Sequence, residues 1–439
     1  MISSIIFILI FAAAVFLFAK NVRIIATNIK RGKSLTITDK PNERWKLMAL
    51  VALGQSKMLR NPIVGILHLF VYIGFLVVNI EMLEILTDGI FGTHRIFSFF
   101  GSFYPILVST FEIFAVLVIV ACITFLIRRN LLKVKRFQNP EMTAWPRTDA
   151  NIILFTEVLL MSAFLAMNAA DSILQIRGAE HYTAVGSFAV SQFLVPLFEN
   201  LSTGSLIFIE RFGWWFHIVG VLAFLNYIPY SKHFHVFLAF PNVYYSKLKP
   251  RAYVPNMQSI TNEVKIAMGL AQDTGSAPPD SFGAKDVTDL SWKNLMDAYS
   301  CTECGRCTAV CPANVTGKKL SPRKIIMDTR DRLEEFGKFK VKNPSTETDG
   351  KMLLENYISP EELWACTTCN ACAQECPVNI DQPAIIIEMR RYLFMEKSAA
   401  PSPINQMSTN IENNGAPWQY STADRLNWAN ELYINDKMV

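Results

Sequence analysis

Cys301-Thr302-Glu303-Cys304-Gly305-Arg306-Cys307-Thr308-Ala309-Val310-Cys311-Pro312 is echoed downstream by Cys366-Thr367-Thr368-Cys369-Asn370-Ala371-Cys372-Ala373-Gln374-Glu375-Cys376-Pro377. Each run places three cysteines with two residues between neighbours, a fourth after three more, and then proline. Three thiolates on one tight turn can each reach a separate iron at three corners of a cubane. The fourth corner needs a ligand from elsewhere, because the local chain cannot wrap that far. Zinc asks for something different, four ligands at a tetrahedron, commonly from two separated Cys-x2-Cys pairs. The repeated three-plus-one pattern fits zinc poorly and fits a pair of [4Fe–4S] clusters well.

In proteins with two such clusters the fourth cysteine of each run serves the other cluster. The expected ligand sets are therefore Cys301, Cys304, Cys307 and Cys376 for one cluster, and Cys366, Cys369, Cys372 and Cys311 for the other. Eight of the nine cysteines fall in these two compact runs. A secreted disulfide framework would scatter its cysteines instead, so the runs imply a reducing compartment. The ninth, Cys122, lies in an apolar stretch and reads as a small buried hydrophobe.

Outside the runs the chain is apolar. Of 439 residues, 51% are hydrophobic and only 18% charged, which is unusual for a soluble protein of this length. Five segments are long enough to cross a bilayer: Ile2–Ala19, Ile63–Leu86, Tyr104–Ile127, Asn151–Ile176 and Gly213–Tyr230. No Lys or Arg precedes the first, whereas Lys20, Arg23, Lys30, Arg31 and Lys33 follow it. A cleaved signal peptide carries its positive region in front. The first segment is thus expected to be a retained anchor.

The loops agree on orientation. Lysines and arginines crowd the connection before the second segment and the one between the third and fourth, from Arg128 to Arg147. Arg95 is alone in the connection after the second, and Arg177 is alone after the fourth. The positive-inside rule then predicts an N-terminus outside and everything beyond the fifth segment in the cytoplasm of a bacterial or archaeal cell. The net charge of +5 sits largely on that inner side, so it gives no sign of nucleic-acid binding.

These features predict a mainly α protein: a five-transmembrane-helix bundle followed by a cytoplasmic α-helical ferredoxin domain. The expected divisions are a membrane domain over 1–240, a polar linker over 241–290, the cluster domain over 291–397 and a tail over 398–439. The linker includes Gly275-Ser276-Ala277-Pro278-Pro279. The tail, rich in Asn, Ser and Pro, is expected to bind a partner or remain partly disordered.

Within 291–397 the segments Pro322–Glu335 and Gln382–Met395 carry helical apolar spacing. Cys301-Thr302-Glu303-Cys304-Gly305-Arg306-Cys307, followed by Thr316-Gly317-Lys318-Lys319-Leu320-Ser321-Pro322-Arg323, resembles the helical ferredoxin domain of heterodisulfide reductase-type iron–sulfur subunits. Glu362-Leu363-Trp364-Ala365-Cys366 matches the same pattern at the second run. The iron–sulfur subunit of anaerobic glycerol-3-phosphate dehydrogenase is similar in kind. The resemblance covers roughly 291–397 and implies two [4Fe–4S] clusters in an electron-transfer role.

There are six histidines. His94 and His181 fall in outer loops and read as plain polar residues. His68 lies in the second segment and His217 in the fifth, with His233 and His235 just beyond. Ionisable residues within a bilayer are costly enough to suggest function. A helix continuing past Pro229 would separate His217 from His235 by about 27 Å, too far to share one haem. His68 and His235 would then stand at similar depth near the inner face, an arrangement suited to a bis-histidine haem b.

Ile228-Pro229-Tyr230-Ser231-Lys232-His233-Phe234-His235-Val236 resembles the end of the fifth helix in the haem b subunit of respiratory nitrate reductase and the related heterodisulfide reductase membrane subunit. That family implies two haems with partners on the second helix. Here Val78 and Asn79 stand where a second histidine would be expected. One haem is expected, and a second on His217 would need another partner. His68 with His217 is the rival pairing. Glu112 and Glu157, also within segments, are candidates either to carry protons or simply to hydrogen-bond neighbouring helices.

A haem in the bilayer and two cubanes beside it make an electron wire, and the natural membrane substrate is a quinone such as menaquinone. No Gly-rich nucleotide fingerprint adjoins a strand–helix unit, so flavin or NAD is not expected in this chain. No cysteine follows Cys376, so a soluble substrate would be handled by a separate redox subunit, one with Cys-Cys-Gly motifs or a flavin. The expected role is the membrane-bound electron-transfer subunit of a quinone-linked oxidoreductase complex. The alternatives are a self-sufficient quinone oxidoreductase and a membrane iron–sulfur redox sensor.

Overall fold

The computed structural model describes residues 2–182, 184–186, 188–250, 252–272 and 281–429, and the backbone of 433–434 and 437–438. Among the described residues, five helices are long and apolar enough to cross a membrane: Ile2–Ile29, Pro62–Phe91, Ile96–Asn130, Trp145–Ile176 and Thr203–Tyr230. The first runs ten residues past its apolar core, and the fifth begins earlier than hydropathy alone indicates. Ser202 explains the second difference, since its hydroxyl accepts from the Ser205 N–H and starts the helix at Thr203. Pro62 at the first turn opens the second span, and Gly92 at φ 73° closes it.

The fourth span packs along the third and fifth, the second along the third, and the first along the second and fifth. Small residues permit the close approaches that substitute for a hydrophobic driving force in lipid. A Cβ on Gly220 would lie 2.6 Å from Leu160 Cδ2, and one on Gly213 would lie 3.0 Å from Met167 Cβ. Phe111, Ala115, Val118, Cys122, Leu160 and Phe164 fill the core between the second, third and fourth spans. Cys122 is fully buried there, as a small hydrophobe would be.

The fifth span does not continue to Pro241. Its regular helix ends at Tyr227, and Ser231 is extended at φ −117° and ψ 153° between two 3-10 turns. A new helix, His235–Tyr244, starts beyond it and contains Pro241. The 27 Å separation of His217 and His235, which assumes one straight helix, therefore does not hold. Pro229 removes a helical N–H, and the Ser231 hydroxyl accepts from the His233 N–H to restart the chain.

Contacts divide the protein into two units, Met1–Pro255 with Asp286–Ile386, and Asn256–Lys285 with Ile387–Val439. The first unites the bundle with the cysteine-bearing region. Lys33 pairs with the chain around Ser291, its N–H donating to Leu290 O (2.8 Å) and its carbonyl accepting from the Trp292 N–H (3.1 Å). Asn28 at the end of the first span donates to the Tyr299 hydroxyl at 3.0 Å. Arg323 reaches across to Glu141 (2.8 Å) and the Arg136 carbonyl (2.7 Å). The loops rich in Lys and Arg thus share one end of the bundle with the cysteines.

Within the second unit, the Ala284 N–H donates to Glu388 O at 2.9 Å, and the helix Ser402–Asn414 ends at Gly415 in the left-handed region. The tail is more regular than its composition suggests. Regular structure also runs past Pro241, where the sequence places the start of a linker. The expected Gly275–Pro279 stretch lies outside the described residues.

Candidate functional site

The two cysteine runs fold alike. Glu303 and Thr368, at matching positions, both take positive φ (53° and 55°), as do Gly305 (72°) and Asn370 (60°). The left-handed residues curl the chain so that the Glu303 and Thr368 amides point back at Cys301 Sγ and Cys366 Sγ, each at 3.4 Å. Gly and Asn tolerate that conformation best. Gly305 has a second reason: a Cβ there would stand 2.4 Å from the Arg323 guanidinium.

Cys311 lines one pocket together with Cys366, Cys369 and Cys372, between Pro312, Pro322 and Pro383. Around Cys307, burial first and then the neighbouring Cys304, Cys301, Cys376 and Cys372 push the thiol upward. Each fourth cysteine therefore lies with the other run, and the two groups adjoin. Burial raises the Cys301 thiol to about 12 and that of Cys376 to about 11. Thiols so placed need a cationic centre to become thiolates.

The two groups differ in access. Cys301, Cys307 and Cys376 are buried against the bundle, where Lys57 Nζ donates to the Cys376 carbonyl (3.0 Å) and Arg306 to the Lys57 carbonyl (2.9 Å). In the other group Cys369 is exposed and Cys366 half-buried, while Cys311 and Cys372 are buried.

Glu303 ties the first run to the end of the fifth span. Its carboxylate bonds Lys232 on one side and Arg330 at 2.8 Å on the other, and its side chain is only 2% exposed. Burial alone would raise this carboxyl, but Arg330 and Lys232 outweigh it and hold it at about 2. Glu303→Ala removes the buried anion shared by Lys232 and Arg330. Among the described residues it leaves them only the carboxylates of Asp149 at 3.7 Å and Asp331 at 3.0 Å, so a loss of about 3–5 kcal/mol is expected. Thermal unfolding of the detergent-solubilised variant measures it, and an unchanged midpoint would refute the bridge.

Next to Lys232, the structure gathers His68, His233 and His235. The rings of His233 and His235 lie 5.7 Å apart. Burial, then His235 and His68, hold the His233 imidazole down at about 3. His235 Nδ1 faces the Lys232 carbonyl at 3.0 Å, which leaves Nε2 directed elsewhere, and His68 Nδ1 is buried without a hydrogen-bond partner among the described residues. His217 stands apart, with Nδ1 3.1 Å from Leu160 O and Phe164 beside its ring.

Glu112 is fully buried and saturated. It accepts from Asn168 (3.0 Å), the Val190 and Ser191 amides (2.7 and 3.2 Å) and the Ser191 hydroxyl (2.5 Å). That is the hydrogen-bonding alternative rather than a free proton carrier. Glu157 lies on the fourth span, half-buried.

His94 is not a plain loop residue, whereas His181 is an exposed loop residue as expected. Their rings approach to 6.0 Å, and His94 Nε2 is 3.6 Å from the buried Asp171 carboxylate. Arg95 is buried in the same place on Asp171 (2.6 Å) and Asn168 (2.8 Å). Glu81, Glu84 and Asp88 are legible as acids repeating on one helical face, yet hydropathy draws attention away from them.

Residues 300–380 match the 4Fe-4S dicluster domain family. Along nearly its whole length, 98%, the chain is 28% identical to a probable iron-sulfur-binding oxidoreductase, FadF, of Bacillus subtilis, covering 61% of that protein. It is 27% identical to the EtfAB:quinone oxidoreductase of Syntrophomonas wolfei over 91% of this chain and 55% of that one. Over 35% of the chain it is 28% identical to one of the polypeptides of the dihydromethanophenazine:CoB–CoM heterodisulfide reductase of Methanosarcina mazei, covering 38% of that polypeptide. The chain thus spans less than two thirds of the curated relatives it matches along its length. No solved structure matches it. It is a membrane protein with a 4Fe–4S dicluster domain, homologous to iron–sulfur oxidoreductases and heterodisulfide reductase subunits.

Proposed function

We propose that this protein carries electrons between the membrane quinone pool and a separate soluble redox partner, through haem b and two [4Fe–4S] clusters. The observation that carries the reading is the Lys232–Glu303–Arg330 bridge, which fastens the His68–His233–His235 group to the first cysteine run. The quinone named for the Syntrophomonas relative supports the same assignment.

Cys301, Cys304, Cys307 and Cys376 would hold the cluster facing the bundle. Cys311, Cys366, Cys369 and Cys372 would hold the outer one, where exposed Cys369 marks the exit to the partner. His68 and His235 would bind the haem. The backbone carbonyl beside His235 Nδ1 suits a ligating imidazole, whose second nitrogen is oriented by such a partner. His217 has the same feature and could serve a second haem only with a partner outside this group. When bound, these groups supply the one-electron chemistry. The protein's own residues position them and exclude water. The lysine- and arginine-rich end would face the cytoplasm.

A reduced-minus-oxidised visible spectrum with iron and sulfide analysis tests this on detergent-purified protein. The expected result is a haem b α-band with about eight cluster irons and eight sulfides per chain. Clusters without haem would leave a membrane-anchored ferredoxin and remove the quinone link.

A further inference from the structure

At the end of the bundle away from the cysteines, the structure forms a partly open pocket of about 220 Å³. That is room for several water molecules. Its wall is polar for a place between membrane helices, and most of that polarity is satisfied. Glu84 accepts from the Tyr104 hydroxyl (2.9 Å) and the Phe97 amide (2.9 Å). Asp88 accepts from Thr93 (2.5 Å) and the Arg95 and Ile96 amides. Glu210 is held by Tyr182 (2.9 Å) and Arg211 (2.5 Å), and Arg95 is engaged by Asp171 and Asn168.

Glu81 is one exception, alongside Asp171 Oδ1 and His94 Nδ1. It is 3% exposed, lines the cavity, and its Oε2 has no hydrogen-bond partner among the described residues. Glu84 and Glu112 repel its charge from the second and third spans, and Arg95 is the cation facing it. A buried carboxyl of this kind persists where it exchanges a proton with water or a substrate. Towards the loops, His94 also has an unpartnered Nδ1; Asp171 Oδ1 lies 3.6 Å from its other nitrogen, beyond hydrogen-bond reach and itself without a partner among the described residues, and the His181 ring is 6.0 Å away. His181 holds a positive φ of 80°. Burial, partly opposed by Asp171, keeps His94 at about 4, so its neutral ring can accept at one nitrogen and donate at the other.

We infer that Glu81 and the His94–Asp171 pair form a proton-transfer site that exchanges the protons of the quinone reaction with solvent at the face away from the clusters. The inference rests on the quinone reading above. Oxidation of one quinol gives one quinone, two protons and two electrons. The electrons leave one at a time towards the soluble oxidant through the clusters. The protons leave through Glu81, cavity water and His94. In the opposite direction two protons enter by the same residues as quinone takes up two electrons.

The test uses full-length Glu81→Gln, Glu81→Asp and His94→Gln in phosphatidylcholine vesicles, with a water-soluble menaquinol analogue as donor and dithionite as a quinone-independent reductant. Glu81→Gln should slow quinol-driven cluster reduction about 100-fold, Glu81→Asp should retain most of the rate, and dithionite should reduce all forms alike. The redox-induced infrared difference spectrum of the wild type should contain a carboxylic C=O band that shifts in D2O and is missing in Glu81→Gln. A wild-type rate and unchanged infrared band in Glu81→Gln would overturn the inference. So would a rate governed by Na⁺ and indifferent to pH, which would assign the cavity to a cation. If the wild type is not reduced by quinol at all, the quinone reading falls. The infrared band under dithionite then decides the role of Glu81 by itself.

Discussion

Cys376→Ser is expected to abolish the cluster whose other three ligands lie in the first run, while sparing the cluster of its own run. About four of eight cluster irons should be lost. The prediction is specific because sequence proximity argues the reverse: Cys376 follows Cys372 closely, yet it lies with Cys301, Cys304 and Cys307. The complementary variant, Cys311→Ser, should remove the outer cluster and keep the one against the bundle, since Cys311 lines the pocket of the second run. Electron paramagnetic resonance of the reduced proteins distinguishes the two, because the remaining signal should differ between the variants. Identical residual spectra would show that the fourth cysteines do not cross over. Quinol should still reduce the surviving cluster in Cys311→Ser, whereas in Cys376→Ser the outer cluster should lose its supply of electrons.

Removal of the imidazole at position 235 or 68 carries the second large effect. His235→Ala and His68→Ala should each lose the haem b α-band almost completely while retaining about eight cluster irons. His233→Ala should keep most of it. His233 shares the group, but among the described residues the orienting carbonyl at 3.0 Å belongs to His235, and His68, on the second span, is the partner expected across from it. His217→Ala separates one haem from two: an unchanged haem-to-protein ratio means that His217 holds none. A full α-band in His235→Ala would move the haem to the rival His68–His217 pairing. Visible spectra with pyridine haemochrome quantification provide the measurement.

The bundle and the cysteine repeat are readable in the chain because each rests on a local rule. Hydropathy over about twenty residues finds a span whatever its neighbours are, and the spacing within Cys301–Cys311 is set by a single turn. The features that escape depend on distant partners. The fifth helix ends at Tyr227, ahead of Pro229, and Ser231, with its extended backbone and hydroxyl cap, starts the chain again, although the residues up to Pro241 can be read as one continued helix. Arg95 looks like a stray cation in an outer loop, yet Asp171 and Asn168 receive it from the fourth span. Glu81 and Glu84 lie towards the end of a span apolar enough to hide them. Glu303 reads as a spacer between two cysteines, because nothing local indicates that Lys232 and Arg330 converge on it.

The clasp between Asn28 and Tyr299 joins residues 271 positions apart. At a synthesis rate of about 5–20 residues per second, the first span waits ~15–50 s in the bilayer before its partner is made. Docking is therefore a late event in biogenesis, after all five spans have been inserted. Iron–sulfur assembly factors would have their widest access to the cysteine runs during that interval. A fusion or deletion near Asn28 or Lys33 acts at this last step. It would yield a chain that is inserted and full-length but still open.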